Sequence, residues 1–132
     1  MRKTIAVALT AALTLVAPAG IAMARGGGGG GNGDVVTRGS CSGNSEWKLK
    51  LSPEDGSIEG EFEVDQNVSG DRWRVTIRHD GDVAFRGTRT TQGASGSFTV
   101  RVVENDNAGT DAFRARARNV STGEVCVGTR SL

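Results

Sequence analysis

Ile58-Glu59-Gly60-Glu61-Phe62-Glu63-Val64-Asp65 and Arg72-Trp73-Arg74-Val75-Thr76-Ile77-Arg78 decide the fold of this chain. The turn-rich stretch Gln66-Asn67-Val68-Ser69-Gly70 separates them. The first segment is apolar or glycine at even positions and acidic at odd ones; the second is apolar at odd positions and mostly basic at even ones. Strict alternation with a period of two describes strands that have one buried and one solvated face. Pairing the two as a hairpin so that the apolar rows meet puts Val64 against Trp73 and Phe62 against Val75. The same register sets Asp65 against Arg72, Glu63 against Arg74 and Glu59 against Arg78, a ladder of opposite charges. A slip by one residue would turn an apolar row out to water, so it is excluded; a slip by two keeps the faces, and only the loop geometry decides against it.

The same pattern recurs on both sides. Asp34 to Ser40 reads as a first strand, and Glu46 to Leu51 places Trp47, Leu49 and Leu51 on one face, with Lys48 and Lys50 on the other. Ser52-Pro53-Glu54-Asp55-Gly56 is a turn. His79-Asp80-Gly81-Asp82 turns the chain into Val83 to Thr91, which is anchored by Phe85. Ser97 to Val103 points Phe98, Val100 and Val102 inward. Asp111 to Asn119 points Phe113, Ala115 and Ala117 inward and Arg114, Arg116 and Arg118 outward. Glu124 to Arg130 closes the series. About seven or eight strands at sandwich-like spacing, with no helical period, predict an all-β, immunoglobulin-like two-sheet antiparallel sandwich. The alternative is a small closed β-barrel, which strand counting does not distinguish from it.

The first 24 residues read as a signal peptide. Arg2 and Lys3 precede an apolar run from Ile5 to Val16, and Ala22-Met23-Ala24 supplies the small-x-small end. Such a run is short for a membrane span. Arg25 to Gly33 contains six consecutive glycines and is expected to be a flexible tail, leaving 34–132 as one domain. Of the 16 basic residues, Arg2 and Lys3 fall in the leader, so 14 remain against 15 acidic ones. That near-balance argues against nucleic acid or an anionic membrane as the dominant partner. Arginine outnumbers lysine twelve to two after the leader, which reads as the mark of a GC-rich genome rather than of a binding patch. Cys41 and Cys126, the only cysteines, are expected to form a structural disulfide in an exported protein.

Two resemblances follow from particular residues. Asp111-Ala112-Phe113-Arg114-Ala115 resembles the Asp-x-Tyr-x-Cys of the immunoglobulin F strand, with Phe113 and Ala115 in place of Tyr and Cys. The predicted disulfide would also link the first and last strands rather than strands B and F, so the likeness is to the sandwich class. Most of the exported chain resembles a family of small secreted actinobacterial proteins of uncharacterised function. The resemblance rests on Cys41-Ser42-Gly43, the stretch from Trp47 to Gly56, Glu61-Phe62-Glu63-Val64-Asp65, Trp73, His79 and Ser95-Gly96-Ser97-Phe98. Asp111-Ala112-Phe113 and Gly123-Glu124-Val125-Cys126 complete it. It implies export and a compact β fold, and no activity.

Chemistry is sparse. His79, the only histidine, is expected to be an exposed polar residue beside a turn; a triad with Asp80 or Asp82 lacks a serine in a nucleophile-elbow pattern. Glu59, Glu61 and Glu63 lie at spacings that glycoside hydrolysis can use, but a row opposed by arginines is a solvated ladder rather than an acid held in a desolvating pocket. Asp65-Gln66-Asn67-Val68-Ser69-Gly70 matches the opening of a calcium loop, yet position twelve falls on Thr76 where a Glu is required. Glu104, Asp106 and Asp111 crowd a second loop; both loops are expected to hold solvated turn residues, with a weak extracellular calcium site at either as the alternative. Arg114, Arg116 and Arg118 form a basic row fit for an acidic partner or for protecting a sheet edge. No catalytic residue, cofactor or resident metal is therefore assigned. Surface binding is assigned to Arg114, Arg116, Arg118, Asp65, Asn67, Glu104 and Asp106. The expected function is that of a secreted, monomeric, non-enzymatic binding module for an extracellular protein or cell-envelope component. The alternatives are a hydrolase inhibitor, or a carrier of an apolar small molecule.

Overall fold

A computed structural model describes residues 33–132. The expected signal peptide, and all of the glycine-rich tail except Gly33, lie outside the described residues. Eight strands follow in order: β1 Val35–Ser40, β2 Glu46–Glu54, β3 Ser57–Asp65, β4 Arg72–His79, β5 Asp82–Thr90, β6 Ser97–Asn105, β7 Ala112–Asn119 and β8 Val125–Ser131. They form two antiparallel sheets of four, ordered β1-β2-β3-β6 and β5-β4-β7-β8. Among the described residues no ladder joins β1 to β8 or β5 to β6, so the molecule is a sandwich and not a closed barrel. None of the described residues forms a helix long and apolar enough to cross a membrane.

The connectivity is that of an immunoglobulin-like Greek key. Strands β2-β3-β6 take the places of A, B and E; β5-β4-β7-β8 take those of C′, C, F and G; β1 adds one strand outside A. The strand carrying Asp111-Ala112-Phe113 at its entry, β7, thus occupies the F position. One correction concerns a strand end. β2 runs on through Pro53, where the sequence suggests a turn. Pro53 fits there because β1 pairs with β2 only as far as Leu51, so the missing N–H faces no neighbouring strand. Only Asp55 and Gly56 remain in the turn to β3.

The larger correction is to the hairpin. β3 and β4 lie in different sheets. β3 is flanked by β2, to which the two-residue Asp55-Gly56 turn returns it, and by β6, so neither of its edges is free. The Gln66–Asp71 linker instead carries the chain across to the second sheet. Gln66 accepts the indole N–H of Trp73 at 3.0 Å and donates to Asp71 at 2.6 Å, which fixes that crossing. The carboxylates of β3 consequently meet lysines of β2 and an arginine of β6: Lys48↔Glu63, Lys50↔Glu61 and Glu61↔Arg101 are the facing pairs. The face parity read from the sequence survives, but the partners change.

Leu49, Leu51, Phe62, Val64, Trp73, Val75, Ile77, Phe113, Ala115 and Ala117 fill the space between the sheets, each essentially inaccessible to water. Cys41, just beyond β1, is bonded to Cys126 on β8 and ties the sheets together at one side. Beside it the half-buried Trp47 ring is held between Gly39, its cross-strand partner on β1, and Gly128 on β8. A Cβ at Gly39 or Gly128 would fall 2.6 Å from ring atoms of Trp47. Both positions need glycine because the ring occupies the space.

Candidate functional site

Because β4 carries no acidic partner strand, its outward arginines belong to the second sheet alone. Arg72, Arg74 and Arg78 project from β4, Arg86 from β5 and Arg114, Arg116 and Arg118 from β7. The ladder sets Arg74 directly against Arg118 and Arg78 against Arg114. No outward position of β4, β5, β7 or β8 carries a carboxylate. Among the described residues none of these seven arginines forms an ion pair. Among the described residues Arg78 alone of the seven has a side-chain hydrogen bond, donating to the carbonyl of Gly81 at 2.8 Å. Like charges facing each other across a ladder oppose folding. The arginine row foreseen on β7 is therefore half of a larger face, whose other half the hairpin reading had assigned to Glu59, Glu63 and Asp65.

At the middle of that face the pattern breaks at Thr76. Arg86 and Arg116 stand directly opposite it on the two neighbouring strands, and Arg74 and Arg78 lie two residues away along β4. The short side chain leaves a depression of about 170 Å3, lined by Thr76, Arg78, Arg86, Arg114 and Arg116.

The outer face of the other sheet is mixed in charge and internally paired. Lys48 donates to Glu63 at 3.3 Å, Lys50 bridges Asp34 at 3.3 Å and Glu61 at 3.6 Å, and Arg101 pairs with Glu61 and Glu59. The Arg101 guanidinium holds the Glu61 carboxyl below its ordinary range, the opposite of what a general acid requires. The two faces are thus electrostatically unlike, although the chain as a whole is nearly neutral.

The histidine expectation is corrected. His79 is 6 % exposed, on the inward row of β4 with Trp73, Val75 and Ile77, and it stacks on Phe113 with ring centroids 4.5 Å apart. Its Nε2 lies 2.5 Å from Asp111 Oδ1 and 3.3 Å from Asp80 Oδ2, and its Nδ1 lies 3.7 Å from Glu104. His79, Asp80 and Asp111 offer ligand atoms all within 4.8 Å of one another. Those atoms are already employed. Asp111 accepts the backbone N–H of Asn107 at 3.2 Å, and Asp80 accepts Ala112 N–H at 2.8 Å and the Asn107 amide at 3.1 Å. These bonds to Ala112 and Asn107 hold Asp80 below its ordinary pKa. The cluster pins the end of β4 to the β6–β7 loop. The shallow cleft above it is lined by no serine, threonine or cysteine.

The remaining sequence-derived residues separate. Glu104 joins the histidine cluster, whereas Asp106 only docks its backbone N–H on Gly56 at 3.0 Å. Asp65 and Asn67 lie at the opposite pole, where Asp65 Oδ1 accepts the Asn67 N–H at 3.2 Å in a local turn and Asn67 sits at φ 60°. That pole also holds an open cleft of about 450 Å3 between the loops of Ser42–Ser45, Gln66–Val68 and Thr122–Glu124. Glu124 is fixed in its wall by the backbone N–H and the hydroxyl of Ser45, at 3.0 and 2.5 Å. Nothing local marks this cleft in the sequence, since three distant loops build it. The burial of His79, by contrast, was readable: it has the same parity as Trp73. No protein-family model, curated protein or solved structure matches the chain.

Proposed function

We propose that the protein is an exported, monomeric, non-enzymatic binding module that engages an extracellular or cell-envelope component through the outer face of the β5-β4-β7-β8 sheet. One observation carries this reading: seven outward arginines on three adjacent strands, with no carboxylate among them. A face selected for stability alone would intersperse the two signs, as the opposite sheet does. Repulsion between two such positively charged faces also disfavours two copies meeting face to face. The close filling of the space between the sheets gives little support to a carrier of apolar molecules.

The test is co-sedimentation of the protein with isolated cell envelopes, alongside pull-down from culture medium. Capture that is lost in the Arg114→Ser/Arg116→Ser/Arg118→Ser variant supports the reading. Recovery of nothing above control, or undiminished capture of that variant, overturns it.

A second reading, a secreted hydrolase inhibitor, draws support from the Gln66–Asp71 loop. The loop is held by side-chain bonds from Gln66 to Trp73 and Asp71, and by Thr91 Oγ1 donating to Val68 O at 2.6 Å. Rigid exposed loops lose little entropy on binding. A panel of proteases and glycosidases assayed with excess protein tests it, and absence of inhibition throughout removes it.

A further inference from the structure

We infer that the depression at Thr76 is an oxyanion cup, and that the arginine face around it binds a linear polymer carrying phosphate groups. The inference rests on the binding-module reading and adds the ligand class to it. Arginine's planar fork gives paired hydrogen bonds to phosphate, and seven of them stand together on this face without a counter-charge. Thr76 supplies a hydroxyl at the floor, while Arg78, Arg86, Arg114 and Arg116 surround it. Several guanidinium groups can therefore converge on one tetrahedral anion.

The arrangement also extends beyond one group. Arginines two residues apart on a strand repeat at about 6.7 Å, and neighbouring strands add rows about 5 Å away. Arg72, Arg74 and Arg118 continue the positive surface from the cup toward the start of β4. A chain of regularly spaced anions can follow such a track.

Acidic protein surfaces fit less well. A protein interface needs an apolar centre, and here the centre is Thr76 ringed by charge. Single-stranded nucleic acid calls for exposed aromatic rings between the cations, and no outward position of these strands carries one. Among the described residues no helix or ribbon projects from this sheet face, which leaves nothing to enter a duplex groove.

The test measures binding of the purified protein to long-chain inorganic polyphosphate across a salt series. Parallel arms use inorganic phosphate, a sulfated polysaccharide, polyglutamate and duplex DNA. Polyphosphate is expected to bind in preference to the other four. Replacing Arg114, Arg116 and Arg118 by serine is expected to reduce the slope of log K against log salt by about 2, at roughly 0.7 per lost contact. Arg116→Ser alone is expected to weaken binding about tenfold at low salt. Thermal melts guard against unfolding as the cause: relief of the Arg74/Arg118 and Arg78/Arg114 pairs predicts that the triple variant melts no lower than the parent. No binding of polyphosphate, tighter binding of polyglutamate, the sulfated polymer or DNA, or indifference to the cup substitutions overturns the inference. Polyphosphate failing while envelope capture persists overturns the ligand class and leaves the binding-module reading standing.

Discussion

Replacing Gly128 with alanine is the most demanding test of how the sandwich is closed at its β1/β8 side. Gly128 has an ordinary strand conformation, so alanine is free of backbone strain there, and an interior strand glycine is worth about 0.5–1 kcal/mol less than alanine. On that ground alone Gly128→Ala would stabilise the protein. Packing says the reverse. The new Cβ would meet Cζ3 and Cε3 of Trp47 at 2.6 and 2.7 Å, and the ring has little room to retreat because its other edge lies so close to Gly39 that a Cβ there would also fall 2.6 Å from it. Overpacking of this kind costs about 1–3 kcal/mol. For a domain of this size that is a fall in Tm of about 4 to 20 °C.

Thermal and urea unfolding followed by circular dichroism, with the disulfide oxidised, would give the number. The decisive control is Trp47→Ala, which removes the obstacle. In that background Gly128→Ala is expected to change sign and stabilise, so the double-mutant cycle shows a coupling of at least about 1 kcal/mol. Gly39→Ala should behave in the same way, because it presses on the Cζ2 edge of the ring. If Gly128→Ala melts with the parent, or is equally destabilising with and without the indole, the clamp is not what closes this side.

Three further outcomes are expected. Among the described residues the buried Thr37 Oγ1, on the inner side of β1, has no hydrogen-bond partner, so Thr37→Val should stabilise the fold by about 1 kcal/mol in urea titrations. Converting Cys41 and Cys126 together to alanine opens a loop of 85 residues and should cost up to about 4–5 kcal/mol, read as a lowered unfolding midpoint that reducing agent does not lower further. Hydrogen bonds from Asn119 and Gln66 hold the Asp71 carboxyl below its ordinary value of 3.8. A lowered carboxyl contributes stability that is complete above that value and is lost as pH falls through the folded one. Asp71→Asn should therefore flatten the acid limb of a Tm-against-pH curve below about pH 4, and an unchanged limb would contradict it.

Most of the architecture was legible because side-chain direction along a strand is a local property. Period-two alternation assigned Phe62, Val64, Trp73, Val75, Ile77, Phe113, Ala115 and Ala117 to the interior, and all are buried. It assigned Arg114, Arg116 and Arg118 to the solvent, and all are exposed. The same reading gave seven or eight strands, of which the structure has eight; the Cys41–Cys126 bond followed from the cysteine count, and the assembled sheets decided for the sandwich over the barrel. Applied consistently to β4, it would also have placed His79 inside.

Strand partnership is not local, and the candidate site depends on it. Any antiparallel pairing that keeps the apolar rows together satisfies the alternation, so β3 could match β2, β4 or β6 equally well on parity. Only the assembled sheets decide that the Glu59–Glu63 row meets Lys48, Lys50 and Arg101. Only they leave Arg72, Arg74 and Arg78 beside Arg114, Arg116 and Arg118, with no counter-charge. The sequence by itself determined which residues face water. The tertiary structure decided which charges stand next to each other, because the choice rests on which strands compete for each edge, and so it turned an expected salt-bridge ladder into a face of arginines.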